Sequence, residues 1–230
     1  MSSGGHVVNK RDSVLSTGAV QGYFLLLFAC GAALLLSIPS GARVAHLLEV
    51  QWRPSPLVFH VTCLTLLALL GTFRGIAAAS WERPAWRTLY ALAGHALLGQ
   101  LLLLPYLFFA RALLPGKEHV LPLFVVYSSL VTFMFGSISL RLDLWGRTRD
   151  VHTFMLQYAL FALLFLVPWS LGFVPGIPSI VTLVSPLGAT LYILESPSPA
   201  GLLVAFAFVL LVTLAQLPGI RRLIRRSHAV

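Results

Sequence analysis

The chain has 230 residues, of which 58% are hydrophobic and only 10% are charged, and its mean hydropathy is +0.89. This composition leaves room for one membrane domain and for no separate soluble domain. The formal net charge of +9 is compatible with nucleic-acid binding. However, the basic residues sit at the ends of apolar stretches, where they set membrane topology and meet anionic lipid headgroups, so no nucleic-acid partner is expected.

Six apolar stretches follow one another along the chain, and each is close to or above the roughly 20 residues that cross a bilayer as a helix. The stretches lack the strict alternation of barrel strands, and only a helix or a closed barrel satisfies its own backbone in lipid. The sequence therefore predicts an all-α membrane protein, with a cytoplasmic segment at 1–17, a six-helix domain at 18–219 and a basic tail at 220–230. The predicted spans one to six are Gly18–Ser40, Pro56–Gly75, Arg87–Leu114, Val120–Leu140, Thr153–Phe173 and Ala200–Pro218.

Lysines and arginines are concentrated on alternate connections between these spans. If the N-terminus is cytoplasmic, the inner side holds 12 of the 16 basic residues, and the outer side holds Arg43, Arg53, Arg111 and Lys117. Because inner loops carry an excess of Lys and Arg, this split predicts that both termini lie inside. The first span has no clear cleavage site, so we expect it to be retained as a transmembrane helix.

The connection Arg74–Arg87, on the predicted inner side, reads R-G-I-A-A-A-S-W-E-R-P-A-W-R. Ser80 suits the N-cap of a helix, and Pro84 suits its first turn. Trp81 and Trp86 suit a membrane interface or a groove. The segment is therefore predicted to be either a short helix on the membrane surface or an interfacial anchor between spans two and three.

The long connection 174–199, on the predicted outer side, contains no lysine or arginine. Its middle, Ile180–Leu194, is apolar, but it is too short and too broken to cross the bilayer. Two structures fit this pattern: a re-entrant or half-embedded hairpin between spans five and six, and a loop packed over the bundle. The re-entrant hairpin is the preferred prediction.

Charged residues are nearly absent from the predicted spans. The seven acidic residues fall in loops or at helix ends, whereas ion-coupled transporters usually need a titrating group inside the membrane. Proton- or sodium-driven antiport is therefore disfavoured, and the energy for transport is expected to come from another chain. The acidic residues are Asp12, Glu49, Glu82, Glu118, Asp143, Asp150 and Glu195.

The histidines and the known catalytic motifs argue against cofactor chemistry in this chain. His60 and His95 are expected to lie roughly 12 Å apart along the membrane normal, which does not suit ligation of one haem by both. The chain contains no H-E-x-x-H, G-x-S-x-G or G-x-x-x-x-G-K-[ST] motif. Cys30 and Cys63 fall inside spans and are expected to be buried small residues. No catalytic residue, metal site or cofactor is therefore predicted, and an enzyme is not expected.

The C-terminal half carries several features in a set order. Span four ends in F-G-S-I-S-L (Phe135–Leu140), a basic loop G-R-T-R-D (Gly146–Asp150) follows, and span five breaks at Phe173–Pro178. The apolar segment then carries S-P-L-G-A (Ser185–Ala189), and the last span is followed by R-R-L-I-R-R. This order resembles the permease subunit of an ABC-2 type ABC transporter, in which the segment after span five re-enters the outer leaflet and commonly carries N-P-L.

The resemblance implies positions for a re-entrant segment and for a loop that couples to an ATPase. Ser185 stands where the family commonly has asparagine, the usual R-E-x-G-T lead-in to the coupling helix is missing, and His6–Ser16 is a short and faintly amphipathic substitute for the interfacial helix before span one. The implied re-entrant segment includes Pro175, Pro178, Ser185, Pro186 and Gly188. The implied coupling loop includes Ser80, Trp81, Glu82, Arg83, Trp86 and Arg87.

The resemblance also implies partners and a path. The permease would pair with a second copy or a homologue and with separate ATP-binding subunits, which would hold ATP and magnesium. Such a complex would export an amphiphilic or hydrophobic substrate across a bacterial inner membrane, in contact with membrane lipids. Spans one, two and five line the path or the dimer seam in this family, and packing within the bundle is the alternative role for their residues. The candidate path residues are Tyr23, Phe24, Phe28, Thr62, Gln157, Tyr158, Phe161 and Phe165.

Two other functions stay open from the sequence. One is a non-transporting membrane subunit of a larger complex, and the other is a self-contained secondary transporter or membrane enzyme. A stoichiometric ATPase that co-purifies with the chain would separate the permease from both.

Overall fold

A computed structural model describes most of the chain, and every regular element in the described part is helical. The described residues are 17–37, 56–81, 84–112, 114, 116–147, 153–171, 174, 178–195 and 197–227. The predicted site residues Glu82, Arg83 and Pro175, and the segment His6–Ser16, lie outside them. The helices are α1 (Thr17–Ser37), α2 (Pro56–Ala78), α3 (Ala85–Ala112), α4 (Val120–Arg147), α5 (Phe154–Phe165), α6 (Val167–Leu171), a 3-10 helix (Ser179–Val184), α7 (Pro186–Glu195) and α8 (Pro199–Ser227).

Five helices, α1, α2, α3, α4 and α8, contain apolar segments of 20 to 28 residues and are long enough to cross a bilayer. They correspond to predicted spans one, two, three, four and six. Predicted span five is instead divided into α5 and α6 by a turn at Leu166. Pro168 explains the break, because it has no N–H to bond the carbonyl four residues earlier. The prediction of an all-α, multi-pass membrane protein is confirmed at the level of five long apolar helices.

The contact between α2 and α4 is the most extensive one between two helices in the described part of the chain. Gly71 and Gly75 are one turn apart on α2 and lie against Thr132 and Gly136 of α4. A β-carbon at either glycine would overlap a backbone carbonyl oxygen of α4. The two backbones therefore approach closely because these positions carry no side chain, as in other G-x-x-x-G contacts in membranes. We name this contact the glycine seam.

Two cysteines mark the contact between α1 and α2. Cys30 and Cys63 are fully buried free thiols, and their Sγ atoms lie 3.2 Å apart. Cys30 lies seven residues before the end of α1, and Cys63 lies seven residues after the start of α2. The contact is therefore that of two antiparallel helices at matched depth, and the predicted burial of both cysteines is confirmed.

The segment after α6 folds into the bundle as the 3-10 helix and α7. Ser185 lies between them, where its Oγ accepts the backbone N–H of Leu187 at 3.2 Å and donates to the carbonyl oxygen of Phe165. Ser185 is thus the N-cap of α7, and Pro186 occupies the first helical position, where its missing N–H is not needed. Ile193 and Leu187 of α7 belong to the main apolar core. This segment is therefore part of the packed bundle.

The two ends of the bundle differ in charge. Eight of the ten lysines and arginines among the described residues belong to the end at which α2, α4 and α8 finish and α3 begins. We name this end the basic face. Arg111 and Lys117 lie at the opposite end, where Lys117 Nζ donates to the carbonyl oxygen of Leu194 at the end of α7. Among the described residues the basic side chains are thus concentrated at one end of the bundle, and the side of the membrane that this end faces stays a prediction.

Candidate functional site

The connection between α2 and α3 is shorter than the predicted segment Arg74–Arg87. Because α2 continues to Ala78, the connection begins with a turn in which Trp81 N–H donates to the Ala78 carbonyl oxygen at 3.1 Å. Ser80 Oγ donates to the carbonyl oxygen of Ala77 at 2.7 Å, so Ser80 closes α2 and does not cap a following helix. Among residues 79–81 and 84 no separate surface helix is present. The prediction that Ser80 is an N-cap is therefore wrong.

Trp81 anchors this connection to a small apolar cluster at the basic face. Its side chain is partly buried and packs against this cluster, whose members come from four different helices. Since packed interiors do not deform continuously, a displacement of the connection must also displace these helices or break the cluster. We name this group the basic-face cluster, and its buried members are Ala78, Leu92, Leu140, Leu144, Ile220 and Ile224.

A hollow of about 250 Å³ opens at the basic face where the start of α3 meets the end of α8. Pro84, Ala85 and Trp86 line one side, and Arg221 and Arg225 line the other. The Trp86 side chain is 57% exposed, and both arginines are exposed. An exposed indole beside two cations is a surface that suits an acidic partner with an aromatic or aliphatic anchor.

Arg87 and Tyr90 hold the ring of Trp86 from the α3 side. The Arg87 guanidinium carbon lies 5.1 Å from the Trp86 ring centre, and Tyr90 meets the same ring edge to face at 5.9 Å. Such contacts orient an exposed aromatic ring at a modest energetic gain. The predicted coupling residues Trp86 and Arg87 are thus adjacent on the surface, whereas Ser80 and Trp81 belong to the turn that follows α2.

A buried polar group lies next to the connection, where α1, α2 and α3 meet. Tyr23 Oη is 2.6 Å from His95 Nδ1, and the Arg74 guanidinium carbon is 5.8 Å from the Tyr23 ring centre. The ring of Trp81 lies 6.3 Å from that of His95. The connection therefore contacts both the basic-face cluster and this polar group.

Arg74 is only 7% exposed, although the sequence places it in a connection on the membrane surface. It is buried because α2 continues past Gly75 along the glycine seam. Among the described residues, no acidic side chain forms an ion pair with Arg74. Arg111 and Glu118 form an ion pair, but they lie at the opposite end of the bundle. His95 Nε2 also has no hydrogen-bond partner in the described part of the chain. Arg74 is therefore a charged residue buried among the helices, close to the inner end of predicted span two.

The two buried histidines have separate surroundings. His60 Nδ1 lies 2.8 Å from the carbonyl oxygen of Pro56 at the start of α2, and its ring meets Phe124 edge to face at 4.9 Å. His95 bonds Tyr23 toward the basic face. The described residues contain no group of three or more His, Cys, Asp or Glu side chains placed to hold a metal ion.

The eight predicted path residues are divided between the outer surface and the packed interior. Phe24 and Phe28 are 69% and 78% exposed on α1, whereas Gln157 is 4% exposed on α5. Phe161 and Phe165 stack with their ring centres 5.1 Å apart. Tyr23 and Phe165 belong to the main apolar core, and Phe161 packs against it. None of the eight lines the hollow at the basic face. Tyr23, Phe165 and Gln157 are buried, and Thr62, Tyr158 and Phe161 are partly buried.

Of the predicted re-entrant residues that the structure describes, Ser185 lies between the 3-10 helix and α7, and Pro186 and Gly188 lie in the first turn of α7. Pro178 is exposed and directly precedes the 3-10 helix. Gly188 packs so closely on Thr182 that a β-carbon would overlap the Thr182 carbonyl oxygen. Together with the Ser185 cap, this contact explains the S-P-L-G pattern as the chemistry of a compact helical turn.

The glycine seam is the main feature that the site predictions missed. Its signal, G-T-F-R-G at Gly71–Gly75, is present in the sequence as a G-x-x-x-G pattern at the inner end of predicted span two. The surface connection, the polar group and the seam therefore form one continuous region of α2 and its neighbours. The chain matches no protein-family model, no curated protein and no solved structure, so its function has to be inferred from these residues.

Proposed function

We propose that this chain is the transmembrane permease subunit of an ABC exporter, which moves an amphiphilic or hydrophobic substrate with energy from ATP hydrolysed by a separate subunit. The observation that carries the proposal is the connection between α2 and α3. Trp86 and Arg87 are exposed at the start of α3, directly after this connection, while Trp81 within it packs against the basic-face cluster. In this proposal the basic face is cytoplasmic, as the positive-inside rule favours.

The hollow beside Trp86 is the proposed docking site for the ATPase. Trp86 would insert as the apolar anchor, and Arg221 and Arg225 would face carboxylates of the partner. Buried aromatic anchors provide most of the binding energy of such interfaces, whereas charged rims set association rate and partner choice.

Transmission to the membrane follows from what the connection contacts. A displacement of Trp81 would also displace the basic-face cluster and the ring of His95, because Trp81 packs against both. Because the glycine seam fastens α2 to α4, these two helices are expected to move as one unit. The conformational change would then occur at the contacts of this unit with α1, α5 and α8.

The assembly would contain two permease copies and two ATPases. Large apolar side chains exposed on α1 and α5, among them Phe28 and Met155 at 78% each, supply surface for lipid or for the second copy. Predicted span five, which would complete six spans, is proposed to consist of α5 and α6 together. The 3-10 helix and α7 would re-enter from the outer leaflet, because the Lys117 bond fixes the end of α7 at the face opposite the basic face.

The test is purification of the full chain from its native membrane in a mild detergent. We expect a stoichiometric ATPase to co-purify and the ATPase activity in the eluate to fall at least tenfold with Trp86→Ala, because the anchor is lost. The double variant Glu82→Ala plus Arg83→Ala should act in the same direction. Phe108→Ala is the matched control, since Phe108 is equally exposed, at 57%, near the far end of the same helix.

A chain that purifies alone and still moves substrate would overturn the permease proposal. One observation favours a secondary transporter as the second candidate: the group formed by Arg74, His95 and Tyr23 is buried within the helices. That candidate predicts uptake driven by an imposed pH gradient in liposomes that contain no ATPase, with loss of uptake in His95→Gln. The permease predicts no such uptake.

A further inference from the structure

An open groove runs along the bundle between α4, α5 and α8, and its volume is about 440 Å³. Leu156, Leu160 and Leu164 line one wall at a spacing of four residues, which puts them on one face of α5. Leu142 and Val212 line the facing walls. A groove of this volume is within the usual range of about 300–1,000 Å³ for sites that bind small molecules.

Arg141 lines this groove toward the basic face, one turn of α4 before Trp145. Its Nη1 donates to Gln216 Oε1 at 2.9 Å, and Gln216 Nε2 in turn donates to the Val212 carbonyl oxygen at 3.3 Å. A β-carbon at Gly219 would lie 2.6 Å from Arg141 Nε, so the absence of a side chain there lets the arginine lie against α8. The guanidinium is therefore held in place from two sides.

The bond to Gln216 uses only one of the five guanidinium N–H donors. No carboxylate among the described residues forms an ion pair with Arg141. An arginine beside an apolar groove at the membrane boundary meets an acidic group, water or a lipid headgroup, because an unpaired charge beside apolar surface is costly. The planar donors of arginine bond phosphate in pairs, which makes a phosphate-bearing group the best match.

We propose that this groove binds an anionic amphiphile of the membrane, with its phosphate on Arg141 and an acyl chain along the leucines of α5. The wall from Leu156 to Leu164 is about 12 Å long, so it can shield a substantial part of one chain. A free phosphate ion would leave the apolar walls unused, and a neutral lipid would leave Arg141 unpaired. This inference goes beyond the proposed function, since it requires only that the chain lies in a bilayer.

A second copy of the chain fits the groove less well than a lipid. The chain has 16 basic and seven acidic residues, and the basic ones predominate at the end where Arg141 lies. Two such surfaces would repel each other unless an anion lay between them. Charge complementarity thus favours the lipid.

The test is native mass spectrometry of the full chain in detergent with phosphatidylglycerol or with phosphatidylcholine of identical acyl chains. We expect the wild-type chain to bind phosphatidylglycerol at least tenfold more tightly and Arg141→Gln to lose that preference. Arg222→Gln should keep it, because Arg222 is exposed on α8 at the same end but does not line the groove. Millimolar inorganic phosphate should not displace the bound lipid.

A second variant keeps the proposal testable if Arg141→Gln does not fold. Leu156 is 41% exposed, so Leu156→Trp should fill the groove without disturbing the core, and binding should fall about tenfold. Leu163→Trp, at 54% exposure on another face of α5, should leave binding unchanged. Equal losses in Arg141→Gln and Arg222→Gln, displacement by phosphate alone, or a lipid-free dimer that leaves Leu156 protected would each overturn the proposal.

Discussion

Helix α4 takes part in two contacts of opposite kinds. Toward α2 it forms the glycine seam, where backbones touch, and toward α5 and α8 it borders an open groove of about 440 Å³. Within their apolar windows, 67% of the residues of α4 are buried but only 22% of those of α8. The less buried helix α8 has the higher mean hydropathy of the two, so hydrophobicity does not decide which helices pack tightly in lipid. The size of the side chains at the contact decides how tightly two helices pack, because lipid competes with helices for apolar surface.

Polar groups follow the same division. Near the seam they are enclosed within the bundle, where Gln100 Nε2 donates to Ser128 Oγ at 2.7 Å while Gln100 Oε1 and His95 Nε2 have no hydrogen-bond partner among the described residues. At the groove the polar pair Arg141 and Gln216 lines the open side, and the bond between them uses one of the five N–H donors of Arg141. The seam thus resembles a structural core, whereas the groove resembles a site that another molecule completes.

The strongest test of this difference places a large side chain in the seam. Gly75→Leu should lower the free energy of unfolding by about 3 kcal/mol, because the side chain must force α2 away from the backbone of α4. Gly94→Leu is the matched control, since a β-carbon at Gly94 on α3 meets no atom within 4 Å. Unfolding in detergent, followed by circular dichroism during titration with dodecyl sulfate, measures both. Equal losses in the two variants would show that the seam is not the tight contact.

A middle-sized effect is expected from matched leucine truncations. Leu67→Ala, at a fully buried position on α2, should cost about 2 kcal/mol, the low end for cores, because lipid is as apolar as the interior and only the cavity term remains. Leu156→Ala on the groove wall should cost less than about 0.5 kcal/mol. The same titration measures both values. Similar costs at the two positions would remove the distinction between the buried interior of the bundle and the groove.

The smallest effect concerns the polar group beside the seam. Tyr23→Phe removes the hydroxyl that lies 2.6 Å from His95 Nδ1, and hydrogen bonds between membrane helices contribute about 0.6 kcal/mol on average and about 1.7 kcal/mol at most. We therefore expect a loss of about 1 kcal/mol. Tyr90→Phe, at a 73% exposed position on α3, should be neutral. A neutral Tyr23→Phe would mean that the group is held by packing alone.

The helices were predictable from the sequence because each long apolar run has only one way to satisfy its backbone in lipid. The ends were less predictable, since a helix continues beyond the membrane where hydropathy falls. For this reason α4 reaches Arg147 rather than Leu140, and α2 carries Arg74 into its interior. Span five fails as a single helix because Pro168 breaks it, which a count of apolar residues does not register.

The candidate site was predictable in part. Exposure of Trp86 and Arg87 followed from their place beside a polar connection, and they lie together at the surface. The burial of Arg74, the bond between Tyr23 and His95 and the groove beside Arg141 depend on which faces of which helices meet. That information resides in contacts between residues distant in sequence, and apolar periodicity around a lipid-exposed helix does not encode it.

The buried contact between Cys30 and Cys63 has a practical consequence for topology. These are the two cysteines of the chain, and both are fully enclosed between α1 and α2. A polar maleimide added to intact cells therefore has no accessible native thiol, so a cysteine introduced at the exposed position Ser80 or Glu118 would be labelled on its own. The side of the membrane that holds the basic face can then be determined with the native sequence otherwise unchanged.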